Sequence, residues 1–271
     1  MFRVISHVAP VIFLSALLGI SAVSSAEAAA KKGLGNWGSE VKQNQLLNAG
    51  WWYNWGLDKK NAIPGVEFVP QAWSYKDNLN NNFVDSLNKS VADTHPKYLL
   101  GYNEPDGEGQ ADMSVEKALE GWPYLMKTGL LLGSPGAVHA DDPWMKEFMA
   151  GIAKHGYRVD FICIHWYSIA PQEFLDYVER IHKLYGKPVW ITEFCPVDWD
   201  HKGRVTPQNA SDFIKTVLPE LNRRPYVQRY AWFTSDTDDK DYGPSALFNK
   251  DGSLTIVGKA YAEQPPGVMP E

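Results

Sequence analysis

Residues 161–194 read FICIHWYSIAPQEFLDYVERIHKLYGKPVWITEF. Phe161-Ile162-Cys163-Ile164-His165 is a short apolar run with the character of a strand buried on both faces. The stretch Pro171–Tyr185 opens on a proline, as the first turn of a helix allows, and continues as an amphipathic segment. Pro188-Val189-Trp190-Ile191-Thr192 is a second buried strand. Strand, helix and strand in about thirty residues form the repeating unit of a parallel α/β protein.

The same alternation extends in both directions. Upstream, strands are expected at 32–35, 51–54, 67–70, 98–102 and 130–133, and downstream at 229–233, with helices at 82–92, 114–128, 144–155 and 207–221. Ser114 is placed to cap the second of these helices, with Lys117 where a capping box would carry Glu. Eight strands with intervening helices in about 240 residues favour a closed ring over an open sheet. The expected fold is therefore α/β, a single-domain (β/α)8 TIM barrel over residues 30–263. Residues 264–271 are expected as a loose tail. No glycine-rich strand-to-helix turn of the nucleotide-binding kinds is present, so no nucleotide cofactor is expected.

The N-terminus reads as an address. A basic residue at position 3 precedes an apolar run over 8–18 that gives way to small residues, with cleavage expected near 26–28. The run is short for a membrane span, and no later segment suits one. A secreted protein, extracellular or periplasmic, with no membrane partner after signal removal, is the expectation. Only two cysteines occur, Cys163 and Cys195. The strand assignment sets them about four residues, or roughly 13 Å, apart along the barrel axis. Disulfide Cα atoms lie within about 7 Å, so two unbridged thiols are expected.

Composition narrows the function. The chain has 26 Lys+Arg against 32 Asp+Glu and no basic cluster, which argues against a nucleic-acid partner. Of the 11 Trp, 13 Tyr and 11 Phe, some fill a core, and so many Trp also suit a surface that stacks on flat apolar faces such as those of sugar rings. Two acidic clusters, His139-Asp141-Asp142 and Asp236-Thr237-Asp238-Asp239-Lys240-Asp241, lack the ligand spacing of a calcium loop or a zinc motif and read as solvated loops; no metal site is expected. No Gly-x-Ser-x-Gly elbow is present.

Barrel enzymes carry their chemistry at the C-terminal ends of the strands. There the sequence sets Gly101-Tyr102-Asn103-Glu104-Pro105-Asp106 after strand four, His165-Trp166-Tyr167 after strand six, and Thr192-Glu193-Phe194 after strand seven. Glu104 and Glu193, from opposite walls of the ring, can converge over its mouth. Two carboxylates about 5–5.5 Å apart are what retaining glycoside hydrolysis requires, one as acid and one as nucleophile. The bland alternatives are a structural carboxylate in an acidic loop for Glu104 and a buried ion-pair partner for Glu193. His165 is equally readable as a core histidine. Trp73, Trp144, Trp166 and Trp199 divide evenly between core and substrate contact. Trp51 and Trp52 cannot both point inward, by strand alternation.

These motifs, with Lys32-Gly33-Leu34, Trp52-Tyr53-Asn54-Trp55 and Gly133-Ser134-Pro135, resemble glycoside hydrolase family 128, a group of endo-β-1,3-glucanases in clan GH-A. The resemblance runs from about residue 32 to 261. It implies Glu104 as general acid/base, Glu193 as nucleophile, and Asn103 as the residue holding the 2-hydroxyl of the reacting sugar. Tyr167, in competition with His165, would hydrogen-bond the nucleophile, and Trp232 would be the floor beneath the sugar. Tyr102, Trp166, Trp199, Trp232 and Asn54 complete the expected substrate contacts. The implied partner is β-1,3-glucan polysaccharide or oligosaccharide, bound by a monomer without a cofactor. The alternatives are another clan GH-A β-glucanase, β-1,4 or mixed-linkage, and a non-catalytic glucan-binding protein.

Overall fold

Strand β1 (Lys32–Gly35) lies between β2 (Trp51–Tyr53) and β8 (Val227–Phe233), parallel to both, in a computed structural model that describes residues 29–36, 45–59, 63–75, 80–201 and 203–270. The leader expected over 1–26 lies outside these residues. The continuous sheet runs β3-β2-β1-β8-β7-β6, with β3 at Glu67–Phe68, β6 at Ile162–Tyr167 and β7 at Val189–Cys195. A separate parallel pair, β4 (Tyr98–Leu99) and β5 (Leu131–Leu132), fills the remaining arc. Parallel bridges join the two pieces on both sides, Gln71 to Leu100 and Gly133 to Phe161. The ring closes, and the eight strands form the expected barrel.

Helices α1 (Asn80–Thr94), α2 (Val115–Lys127), α3 (Pro143–His155), α4 (Pro171–Tyr185) and α5 (Pro207–Arg223) follow the strands as expected. The Ser114 side chain does cap α2, accepting from the Lys117 N–H at 3.2 Å. A sixth helix, α6 (Ile256–Glu263), was not anticipated; it carries a Gly258 that weakens its helical signature. No helix among the described residues is long and apolar enough to cross a membrane. The segment 264–270 is not loose. It lies antiparallel to residues 29–32, with Lys31 and Lys32 N–H donating to Gly267 and Pro266 carbonyls and Met269 N–H to the Ala29 carbonyl.

Two apolar clusters follow from strand alternation. Trp51, Tyr53, Tyr98, Leu100, Phe161, Cys163, Trp190 and Ala231 fill the lumen. Trp52, Ile164, Ile191 and Tyr230 face the helices. Gly33 is needed because a Cβ there would stand 2.4 Å from the Trp51 ring, so the Lys-Gly-Leu motif is packing rather than chemistry. At the bottom of the lumen the buried Arg229 guanidinium stacks 4.6–5.3 Å from Trp190, Tyr98 and Trp51 and pairs with Glu67. Cys163 and Cys195 are buried, unbridged thiols. Beneath the barrel, Lys31 and Lys32 use their ammonium groups on helix ends: Lys31 Nζ on the Asn222 and Arg224 carbonyls at the end of α5, Lys32 Nζ on the Tyr261 and Gln264 carbonyls at the end of α6.

Candidate active site

The upper end of the lumen opens into a cleft of about 340 Å³ that contains both Glu104 and Glu193. Simple alternation along β7 does not put Glu193 there. Trp190 faces the lumen, so Thr192 and Phe194 should follow it inward and Glu193 should face out. The strand pairing explains the difference: Ile164 pairs with Ile191, but His165 pairs with Glu193, which makes Thr192 an extra residue on β7. The bulge reverses the parity beyond it, a device that sheets use to re-aim side chains beside sites. Glu193 thereby faces the cleft beside His165, which ordinary alternation from Cys163 already turns inward, while Phe194 goes to the outer cluster against Phe174 and Trp232.

On the opposite wall the chain uses a different device. Asn103 extends the β4–β5 pairing through a bridge to Gly136, and Glu104 then adopts φ +40° with its N–H on the Gly136 carbonyl at 2.7 Å. A left-handed non-glycine residue is costly, of order 1 kcal/mol or more, and is kept where the surroundings over-determine it. Here it lets two consecutive side chains, Asn103 and Glu104, line one cleft. Trp55, at the end of β2, shows the same feature at φ +59° and also lines the cleft.

The carboxylates differ in their partners. Glu193, 5% exposed, accepts on Oε1 from the Trp55 indole N–H at 2.6 Å and the Tyr53 hydroxyl at 3.4 Å, and on Oε2 from the Tyr167 hydroxyl at 2.5 Å. Burial, and then the charge of Glu193, hold both tyrosine hydroxyls well above their ordinary pKa, so they remain neutral donors. Glu104 Oε1 lies 2.8 Å from His165 Nδ1, which is 3.5 Å from Glu193 Oε2. Burial raises the Glu104 pKa, but the hydrogen bond and charge of His165 outweigh it and bring the group below its usual value. His165 is raised in turn: burial lowers it, and the two carboxylates more than compensate. Its Nε2 has no hydrogen-bond partner and faces Gly136, where a Cβ would stand 2.7 Å away.

One atom each of Glu104, His165 and Glu193 lie within 4.8 Å of one another. That is the one trio among the described residues able to share a metal ion; every member is also engaged by the hydrogen bonds above. In the two acidic clusters, Asp141 pairs with Arg180 and Asp238 with Lys250.

Of the residues expected at the site, Asn103, Glu104, Tyr167 and Glu193 line the cleft and His165 lies beneath it. Asn103 donates to Gln110 Oε1 at 3.2 Å, and its own Oδ1 is buried without a partner. Trp199, 53% exposed, stands at the rim with its ring edge-on to Tyr167 and Tyr242. Three aromatic expectations are overturned. Tyr102 is buried against Trp122 with its hydroxyl on the Ala118 carbonyl. Trp166 stacks on Tyr177 and Phe174 of α4. Trp232 is fully buried, its N–H on the Ser245 carbonyl. Trp166 and Trp232 have the strand parity that faces the helices, whereas Tyr102 shares the parity of Leu100 and leaves the lumen because the alternation fails past β4. Asn54 instead braces the turn after β2, donating to the Asp58 carbonyl and accepting from Gly56 N–H.

Trp55, Trp73, Gln110, Phe233 and Tyr242 line the cleft without having been anticipated as contacts, although Trp73 was weighed for that role. Parity signals two of them: Trp55 follows Trp51 and Tyr53 on the inward face of β2, and Phe233 follows Ala231 on β8. Gln110 and Tyr242 sit on loops, where no period points to them.

The model of a glycosyl hydrolase catalytic core matches residues 33–261. An endo-β-1,3-glucanase of GH128 subgroup I from Amycolatopsis mediterranei, solved with laminarihexaose, is 31% identical with a TM-score of 0.77, over 87% of this chain and 100% of that one. A subgroup II endo-β-1,3-glucanase from Sorangium cellulosum is 27% identical with a TM-score of 0.74, over 87% and 98%. The alkali-sensitive linkage protein 1 of Schizosaccharomyces pombe is 29% identical over 231 residues, 80% of this chain, and the chain spans 41% of that protein's length. The closed parallel barrel, the paired glutamates at its mouth and a match across nearly the whole described chain converge: this protein is a glycoside hydrolase and belongs to glycoside hydrolase family 128.

Proposed function

We propose that this chain is an exported, monomeric endo-β-1,3-glucanase that works with retention of configuration. Glu193 is the nucleophile and Glu104 the acid/base. The observation that carries the reading is the pair itself. An oxygen of each carboxylate lies within 4.8 Å of the other across one cleft, closer than the roughly 6.5–9.5 Å that an inverting pair needs for a water. Glu193 accepts hydrogen bonds from the Trp55 indole and the Tyr167 hydroxyl, which fix its orientation in the cleft. Glu104 contacts the site's one imidazole.

In the first step a Glu193 oxygen bonds to the anomeric carbon, the glycosidic C–O bond breaks, and the Glu104 proton goes to the leaving oxygen. Glu104 and His165 share that proton along their 2.8 Å contact. In the second step Glu104, now a carboxylate, takes a proton from water. The water oxygen bonds to the anomeric carbon and releases Glu193. Asn103 Oδ1, buried and without a protein partner, accepts from the sugar 2-hydroxyl, a bond that strengthens as positive charge develops on the ring. Trp55, Phe233 and Tyr242 supply apolar walls, and Trp199 the outer platform. The β-1,3 linkage is taken from the two glucanase relatives. The intact carboxylate pair disfavours a purely binding role.

Linear β-1,3-glucan, mixed-linkage glucan and β-1,4-glucan are digested side by side with wild type and Glu193→Gln, and products are sized. A ladder of β-1,3-oligosaccharides from the linear polymer, absent in the variant, is expected. Cleavage of only the other polymers overturns the linkage. Binding of the β-1,3 polymer without cleavage by wild type overturns the enzymatic reading.

A further inference from the structure

We infer that Trp55 is a positioning residue for the nucleophile: its indole N–H holds Glu193 Oε1 in place and stays on that oxygen through the reaction. The inference rests on Glu193 being the nucleophile, as proposed above.

The geometry is specific. Nε1 of Trp55 stands 2.6 Å from Oε1, against 3.4 Å for the Tyr53 hydroxyl on the same oxygen. Trp55 is 6% exposed and adopts φ +59°, a conformation a bulky residue takes only when its surroundings enforce it. Phe233 meets its ring edge-on at 5.6 Å, and Tyr53 packs at 5.0 Å. Gly35 provides the room, since a Cβ there would stand 3.2 Å from the indole. The ring is thus clamped with its single donor on the carboxylate.

An indole N–H suits this task chemically. It donates only and does not titrate in the working range. It favours the carboxylate over the acid, which would present a proton to a group unable to accept it. Unlike a cation, it brings no full charge to quench the nucleophile. If Oε2 attacks, Oε1 becomes the carbonyl oxygen of the glycosyl ester, and the N–H again meets growing negative charge when water releases Glu193. One fixed donor thereby serves both displacements.

The test uses Trp55→Phe, which keeps an aromatic ring and removes the donor, in the full-length protein. The groups that face Glu193 are Glu104, His165, Tyr53, Tyr167, Tyr242 and Cys195, and the variant leaves all of them in place. The expected result is a fall in kcat on the order of 10- to 100-fold, below the ~10²–10³ reported for loss of a strong oxyanion donor because the Tyr167 hydroxyl remains. KM should change little. A merely structural role would raise KM and leave kcat near its wild-type value, and that outcome overturns the inference.

A second measurement needs no folded Trp55 variant. Among the 11 indole N–H signals of ¹⁵N-Trp-labelled protein, one should lie far downfield and move strongly in Glu193→Gln but little in Glu104→Gln. No such signal means no strong bond. If Glu193→Gln keeps turnover, the proposed mechanism falls. If it is inactive while Trp55→Phe retains wild-type kcat, only the role of Trp55 falls.

Discussion

Replacing His165 by Asn tests how the acid keeps its proton. An amide nitrogen can stand near the position of Nδ1 and still donate to Glu104, so the change removes the charge and spares much of the geometry. A hydrogen bond to a charged group is worth about 1.5–3 kcal/mol and a neutral one about 0.5–1.5, so Glu104 loses roughly 1–1.5 kcal/mol of preference for its ionised form. At 1.36 kcal/mol per unit, that is a rise of about one unit from its lowered wild-type position. In wild type the last proton of the Glu104–His165–Glu193 set leaves only when pH passes the raised value of His165, above 6.5. Without that imidazole the basic limb of kcat/KM, which reports free-enzyme ionisations, should move down in the variant.

The assay is a pH–rate profile on a soluble β-1,3-gluco-oligosaccharide from about pH 3 to 9, the range that brackets both ionisations. Thermal melts over the same range give a second reading. His165, raised in the fold, stabilises fully below 6.5 and loses the effect as pH climbs through its folded value. Glu104, lowered in the fold, stabilises above 4.5 and loses the effect as pH drops through its folded value. The Tm advantage of wild type over the variant should peak between pH 4.5 and 6.5. A basic limb that stays in place, with a Tm difference flat in pH, refutes the shared proton.

Glu104→Ala should recover activity with azide on substrates with good leaving groups, giving a β-glycosyl azide; the α product refutes retention. Lys32, whose burial brings its pKa down to about 8, sheds its proton in the fold before it does so unfolded, so stability relative to Lys32→Met should rise from about pH 8 toward 10.5. Denaturation at several pH values measures this, and a difference falling over that range contradicts the buried ammonium. Cys163 and Cys195 should react with a thiol reagent only after denaturation, two per chain without reductant; fast reaction of either in the native protein contradicts their burial.

Much of the barrel was legible from the chain alone, because buried parallel strands are apolar on both faces and each is followed by an amphipathic helix. Every expected strand and helix appears, with ends displaced by a few residues. α6 escaped notice because its glycine weakens the pattern. The carboxylate pair was legible too, since catalytic groups of this fold stand where strands end.

The aromatic contacts divide differently. Phe233, Trp55 and Trp232 obey simple alternation, so a period-2 count from Trp51 and Ala231 sorts the two that line the cleft from the one packed outside, whereas Tyr102 breaks the count from Leu100. Residue identity alone does not sort them. Glu193 required the tertiary structure, because a bulge at Thr192 is set by how β7 registers against β6, and nothing in the local sequence carries that register. The left-handed turns at Glu104 and Trp55 are likewise enforced by the neighbours that clamp them, Gly136 for one and Gly35, Tyr53 and Phe233 for the other. Local residue pattern determined the elements and the chemistry available at their ends. Which side chains meet was decided by strand register and backbone strain, and both depend on contacts between residues distant in the chain.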